Sequence, residues 1–247
     1  MKKKPKGKPD EWAFRNLKKE KQMYKYNRED FVDALFDSNE TTGFGDGMDQ
    51  CCHPKSTSEF KIDTESEVFS VNPFNDWRKG TNMKITSILF EVDEEIDTKE
   101  QIKLFLSSGL PFTTMTYSGG KSIHVIIRFT RSFKDTSWSY AWWFAIAKVL
   151  KQYGIVADAN ARLATQISRV PDVIRKNTNK KQTGIYVSTR EGQEEMYQWI
   201  QKHGVDIEIP KPRVTKPYIP DANNTISDKE KWRAAYNMYK SNHGDYN

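Results

Sequence analysis

Two segments of the chain alternate apolar and polar residues with the two-residue period of a β-strand. From Ile85 to Asp93, Ile88, Phe90 and Val92 fall on one side and Leu89, Glu91 and Asp93 on the other, because successive strand side chains point to opposite faces. In the second segment Ile123, Val125, Ile127 and Phe129 share a side, and Ser122, His124, Ile126 and Arg128 share the opposite one. Each reads as a strand with an apolar face on a core and a more polar face left open. If both belong to one sheet, that open face carries two acids, an imidazole and a cation. Thr113 to Tyr117 and Ser122 to Phe129 are rich in β-branched and aromatic residues, and the Gly-rich link Ser118-Gly119-Gly120-Lys121-Ser122 joins them as a hairpin.

Helical periodicity fills the intervals. Asp97-Thr98-Lys99-Glu100 has the form of a capping box and predicts a helix to Ser108, ended by Gly109. Trp138 to Tyr153 is the most apolar helix and is expected beneath the sheet. Glu191 to His203 is amphipathic, and Glu11 to Phe36 reads as a charged helix. Asp37 to Ser70, with Gly43, Gly45 and Gly47, predicts loops, apart from a short strand at Val68 to Val71. Asp158 to Arg175 is irregular and Arg-rich, and Ile185 to Val187 is a strand. The expected organisation is a flexible basic tail at 1–10, one α/β (α+β) body at 11–209, a Pro-rich linker at 210–226, and at 227–247 a helical segment that begins a further domain.

Composition narrows the partners. With 39 Lys and Arg against 33 Asp and Glu, the net charge of +6 suits a polyanion. The only cysteines, Cys51 and Cys52, are too few for a disulfide framework and point to a reducing cytoplasm. Cys51-Cys52-His53 lacks the spaced pairs of a zinc site, so zinc is not expected. No apolar stretch approaches the roughly 20 residues that cross a bilayer, and no membrane partner is expected. Trp142 and Trp143 belong to the apolar helix and to the core, whereas Trp77, Arg78 and Asn82 precede the acidic strand and are candidates to touch a template or nucleotide.

Glu91 and Asp93 are oxygen donors on a rigid strand, suited to Mg²⁺ or Mn²⁺, which share carboxylates with substrate phosphates. Asp158 is the third acid by position. Two ions about 3.5 to 4 Å apart lower the pKa of an attacking 3′-hydroxyl and stabilise a departing pyrophosphate. Gly119 and Gly120 permit close backbone approach, Lys121 adds a charge, His124 can donate to a phosphate oxygen, and Arg169 and Arg175 offer planar forks. Plainer readings exist for each: a solvated strand end for the acids, a Gly hairpin and a satisfied histidine for the loop, a cap for Asp158, and a solvated basic face for the arginines.

Phe90-Glu91-Val92-Asp93, Tyr117-Ser118-Gly119-Gly120-Lys121-Ser122-Ile123-His124-Val125, and Asp158 with Ser168-Arg169-Val170-Pro171 and Arg175 resemble, in this order, the three motifs of the archaeo-eukaryotic primase superfamily. The primase-polymerase domains of phage- and plasmid-type replication proteins are similar. The resemblance implies an RRM-like antiparallel sheet beside a second α/β module, with helices on the back of the sheet. It implies metal binding by Glu91, Asp93 and Asp158, and nucleotide contacts from Ser118, Gly119, Gly120, Lys121, Ser122, His124, Arg169 and Arg175. It further implies a single-stranded DNA template, deoxynucleoside or ribonucleoside triphosphates as substrates, a role in DNA replication, and a helicase domain fused downstream. The first acid is Glu where the family more often has Asp, and Asp172 is a fallback ligand for the third position. Two other readings use the same residues: a non-catalytic RRM-like module that binds single-stranded nucleic acid, and a metal-dependent nuclease. Acids on the sheet face repel phosphate unless metal is present, which disfavours the pure binder.

Overall fold

The computed structural model describes residues 27–47, 49–92 and 96–208. Asp93, the tail at 1–10, the linker at 210–226, the segment at 227–247 and most of the helix expected before Phe36 lie outside the described residues. In chain order the elements are α1 (Arg28–Leu35), β1 (Thr41–Thr42), β2 (Phe44–Gly45), β3 (Lys55–Ser56), α2 (Thr57–Ile62), β4 (Val68–Ser70) and β5 (Ser87–Glu91). Next come α3 (Thr98–Ser108), β6 (Thr114–Tyr117), β7 (Ile123–Arg128) and α4 (Thr136–Gln152). The last are β8 (Ile167–Arg169), β9 (Ile174–Arg175), β10 (Lys180–Lys181), β11 (Thr183–Val187) and α5 (Gln193–Lys202).

Four strands form one antiparallel sheet in the order β11-β6-β7-β5. The hairpin expected around Gly119 and Gly120 joins β6 to β7, while β5 crosses over through α3 and leaves β7 between itself and β6. Ile88, Phe90 and Val92 pack with Ile123, Val125 and Ile127 against Phe105 of α3, Trp142, Trp143 and Ile146 of α4, and Met196 and Trp199 of α5. The apolar helix thus lies beneath the sheet as its sequence predicts. Trp143 donates its indole N–H to the Leu89 carbonyl at 3.0 Å, so its one polar atom is satisfied inside the core.

The opposite face departs from expectation. Leu89 and Ile126 belong to a second core with Phe31, Leu35, Phe36, Phe60 and Phe69, so the face predicted to be open is covered. Its cover is the second module, a three-stranded sheet in the order β2-β4-β8 with α1 and α2. Most of that module comes from Asp37 to Ser70, predicted as loops apart from the short strand at Val68, which is β4. Ser56 and Glu59 form a capping box at the start of α2, and Thr41–Thr42 pairs with Lys55–Ser56. Gly43 and Gly45 serve this packing, because a Cβ on Gly43 would stand 2.1 Å from the Cys51 carbonyl oxygen. The stretch predicted to be irregular after Asp158 supplies β8, paired antiparallel with β4. The box predicted at Asp97 is not formed: Asp97 caps α3 by accepting from Lys99 N–H at 2.9 Å, and Glu100 pairs with Lys103 instead.

A covered face cannot leave Arg128 in water. Its guanidinium is 2% exposed and donates to Glu40 at 3.1 Å. Lys84 also reaches Glu40, at 2.6 Å, and Asp37 lies 3.6 Å from Arg128. Removing one member of such a pair strands a buried charge, at a cost of about 3 to 5 kcal/mol. Glu40→Ala should therefore lower unfolding stability by about that amount in urea titration. A loss under about 1 kcal/mol would mean that the ion pair does not hold the two modules together.

Candidate active site

The covered face brings Glu91 and His124 together at the opposite end of β5 and β7 from Arg128. The two residues are register partners across the antiparallel pair, which sets their side chains on one face. His124 Nε2 lies 3.1 Å from Glu91 Oε2, and His124 Nδ1 lies 3.1 Å from Ser168 Oγ on β8 of the second module. Burial, aided by the positive Arg169 and Arg175, holds the His124 pKa down to about 3, so the imidazole is neutral. The single proton is assigned to Nε2, which donates to the carboxylate, and Nδ1 then accepts from the Ser168 hydroxyl. Ser122 Oγ, 3.3 Å from Nε2, completes the ring's surroundings.

The Ser118–Ser122 loop is held from three sides. Ser118 N–H donates to the Ser122 carbonyl at 3.0 Å, and Tyr117 O–H donates to the Gly120 carbonyl at 2.9 Å. Gln101, fully buried on α3, donates to the Lys121 carbonyl at 2.8 Å and accepts from Ile123 N–H at 2.9 Å. Thr178, between β9 and β10, donates to the Gly119 carbonyl at 2.8 Å. Gly119 has φ +68°, and a Cβ on Gly120 would stand 2.8 Å from Arg175 Nη1. The sequence suggested that these glycines make room for a substrate's phosphates; what they admit here is the Arg175 side chain and the Lys180 backbone. The Lys121 side chain is exposed.

Arg169 and Arg175 line a cavity of about 340 Å³ together with Asp46, Glu67, Lys176 and Asn177. Burial lowers the Arg169 pKa and the neighbouring Arg175 lowers it further, while Glu67 and Glu91 raise it. Glu67 is 6% exposed and accepts from Lys176 N–H at 2.7 Å. Sequence reasoning missed Glu67, which stands just before the strand at Val68 where no periodicity marks it. The predicted basic face is therefore a balanced cluster of two guanidiniums and two carboxylates.

Asp158 comes to the same strand end. Its N–H donates to the Glu91 carbonyl at 2.9 Å, and Val92 bridges to Ala157. Its carboxylate Oδ1 accepts from Asn160 N–H at 2.9 Å and caps the short 3₁₀ turn Ala159–Arg162, so the cap reading describes this side chain. Asp172 takes a left-handed φ of 65° and pairs with Lys181 at 3.0 Å. Among the described residues no three His, Cys, Asp or Glu side chains gather as an ion site, and Asp93 is outside that set. The donors fit Mg²⁺ or Mn²⁺ in kind, since such ions keep several waters and need one or two carboxylates from the protein. Glu91, held by His124, is a carboxylate that could serve as one.

A four-stranded antiparallel sheet backed by helices, with a second α/β module on its other face, is a fold similar to that of a solved primase-polymerase domain. The solved structure of the primase-polymerase (PrimPol) AEP domain of cyanophage S-2L matches with a TM-score of 0.50 and 16% identity, over 69% of this chain and 94% of that one. The crystal structure of primase RepB′ matches with a TM-score of 0.42 and 9% identity, over 92% of this chain and 66% of that one. No family model matches the chain. No curated protein matches it. No helix among the described residues is long and apolar enough to cross a membrane.

Cys51 is fully buried, with its thiol on the Val68 carbonyl, and burial pushes its pKa up to about 12. Cys52 is partly exposed beside Arg78. Because the thiolate is the reactive form, Ellman's reagent at pH 8 should titrate one thiol per native chain and both in guanidinium. Rapid reaction of both in the native protein would contradict the buried, protonated state of Cys51.

Proposed function

We propose that the chain is a primase-polymerase that joins nucleoside triphosphates along a single-stranded DNA template. The observation that supports this reading is the Glu91–His124–Ser168 chain, set beside two guanidiniums at the strand end of a primase-type fold. Glu91 and Asp93, with Asp158 on the adjoining turn, are the residues that would hold Mg²⁺ or Mn²⁺. Such ions, when bound, acidify an attacking 3′-hydroxyl and offset the charge of a leaving pyrophosphate.

The protein's own groups do the rest. Arg169 and Arg175 present forked donors matched to phosphate oxygens. His124, neutral, orients Glu91 without adding a positive charge that would compete with cations for the carboxylate. The Gly119–Gly120 turn leaves room for the Arg175 side chain at the cavity, space that a Cβ on Gly120 would take. A nuclease would use the same acids but has less need of a triphosphate cradle, and the paired arginines favour transfer over hydrolysis.

With Mn²⁺, single-stranded DNA and labelled triphosphates, the protein should yield extended products, and EDTA should abolish them. Glu91→Gln and Asp93→Ala should each reduce incorporation by on the order of 100-fold or more, the scale of losing one transition-state charge contact. Full activity in Asp93→Ala, or template degradation without triphosphate consumption, would refute the reading. Gly120→Ala should displace Arg175 and raise the KM for triphosphate several-fold with little change in melting temperature. An unaltered KM would remove Arg175 from the substrate site.

A further inference from the structure

Immediately after Asp158, the turn Ala159–Arg162 carries the surface away from Glu91 toward α4. The Arg162 guanidinium lies over the Tyr140 ring, 6.0 Å from its centroid. Tyr140 in turn lines a groove of about 700 Å³ whose walls include Lys79, Gly80, Lys84, Phe133, Lys134 and Asp135. The rim is basic. Lys79 and Lys134 are exposed, and the facing acid, Asp135, is engaged by Ser137 and Trp138 at the start of α4. Two residues before Lys79, Trp77 is 49% exposed, with its ring edge-on to His53 at 4.8 Å. An aromatic face set among cations, with a further exposed ring close by in sequence, suits a chain of phosphates carrying unpaired bases.

We propose that this groove is a second contact surface for single-stranded nucleic acid, with a base stacked on the free side of Tyr140 and phosphates on Lys79 and Lys134. The proposal rests on the nucleotidyl-transfer reading and deepens it. The groove takes in Lys84 and Ile85, just before β5, and so lies at the Arg128 end of the sheet, with the 3₁₀ turn and the length of β5 between it and the Glu91 strand end. Duplex DNA should bind less well, because its paired bases cannot reach Tyr140 or Trp77 for stacking. An acidic protein would satisfy the lysines but leave the aromatic faces without a partner.

The test is fluorescence anisotropy of labelled oligothymidylate in EDTA, without triphosphate, across a salt series. Tyr140→Ala should weaken binding about 5- to 100-fold, the scale of one lost stacking contact, while Tyr140→Phe retains wild-type affinity. Lys79→Ala combined with Lys134→Ala should flatten the plot of log K against log salt by about 1.4, near 0.7 for each phosphate contact on a single strand. Wild-type affinity and slope in both sets, equal binding of a duplex, or no oligothymidylate binding by the native protein would overturn the proposal. Circular dichroism melting separates lost contacts from lost folding, and if Tyr140→Ala unfolds, the lysine variant decides by its slope. Failure of the underlying reading is distinguishable: oligothymidylate binding by the native protein without any incorporation would sink the polymerase assignment alone. Incorporation with unaltered binding in the groove variants would sink the groove alone.

Discussion

Burial of both faces of the four-stranded sheet is the constraint on which the rest of the structure depends. A strand inside such a sandwich has room for a polar side chain only where a partner is waiting, because an unpartnered buried charge costs several kcal/mol. β7 places two polar residues on the face shared with the second module. Arg128, at one end, is neutralised by Glu40. His124, at the other, is satisfied by Glu91 and Ser168. Between them Ile126 joins Leu89 in the apolar core. The strand thus ties the modules electrostatically at one end and through the hydrogen bonds of His124 at the other, next to the cavity of Arg169 and Arg175.

Much of this was legible in the sequence, and the parts that were not have physical reasons. The two-residue alternation placed Ile88, Phe90 and Val92 on the helix-backed core, and the Gly-rich link marked the β6–β7 hairpin, whereas the approach of His124 to Glu91 comes from the β5–β7 register. What alternation cannot say is what covers the other face. A face bearing Glu91, His124 and Arg128 looks solvated when its neighbours in space are unknown, and Glu40 lies 88 residues from Arg128 along the chain. The second module was obscured because its strands are two or three residues long, too short for any period to emerge. Its one local signal, Ser56-Thr57-Ser58-Glu59 ahead of α2, was readable as a capping box. Glu67 carried no signal, since only β4–β8 pairing brings it to Arg169.

The glycine loop shows how a motif's residue types can be read correctly while their immediate reason differs. Gly119 and Gly120 permit close approach, as their composition suggests, but the approaching groups are Arg175 and the Lys180 carbonyl. That makes the loop a support for a guanidinium rather than a bare phosphate cradle. It also couples the sequence's second motif to its third, because displacing one shifts the other.

The charge balance of the cluster accounts for its composition. Burial and the neighbouring Arg175 lower the Arg169 pKa, so placing the two guanidiniums side by side is costly unless negative charge is close, and Glu67 and Glu91 provide it. On the nucleotidyl-transfer reading, divalent cations would claim Glu91 and leave the guanidiniums short of counter-charge just as a triphosphate offers phosphate oxygens. The exchange keeps the site near neutrality throughout. Cations arriving without triphosphate would leave excess positive charge, and triphosphate arriving without cations would meet Glu67 and Glu91 as like charges. Metal and nucleotide should therefore bind with mutual dependence, which follows from the two carboxylates as directly as from the two arginines.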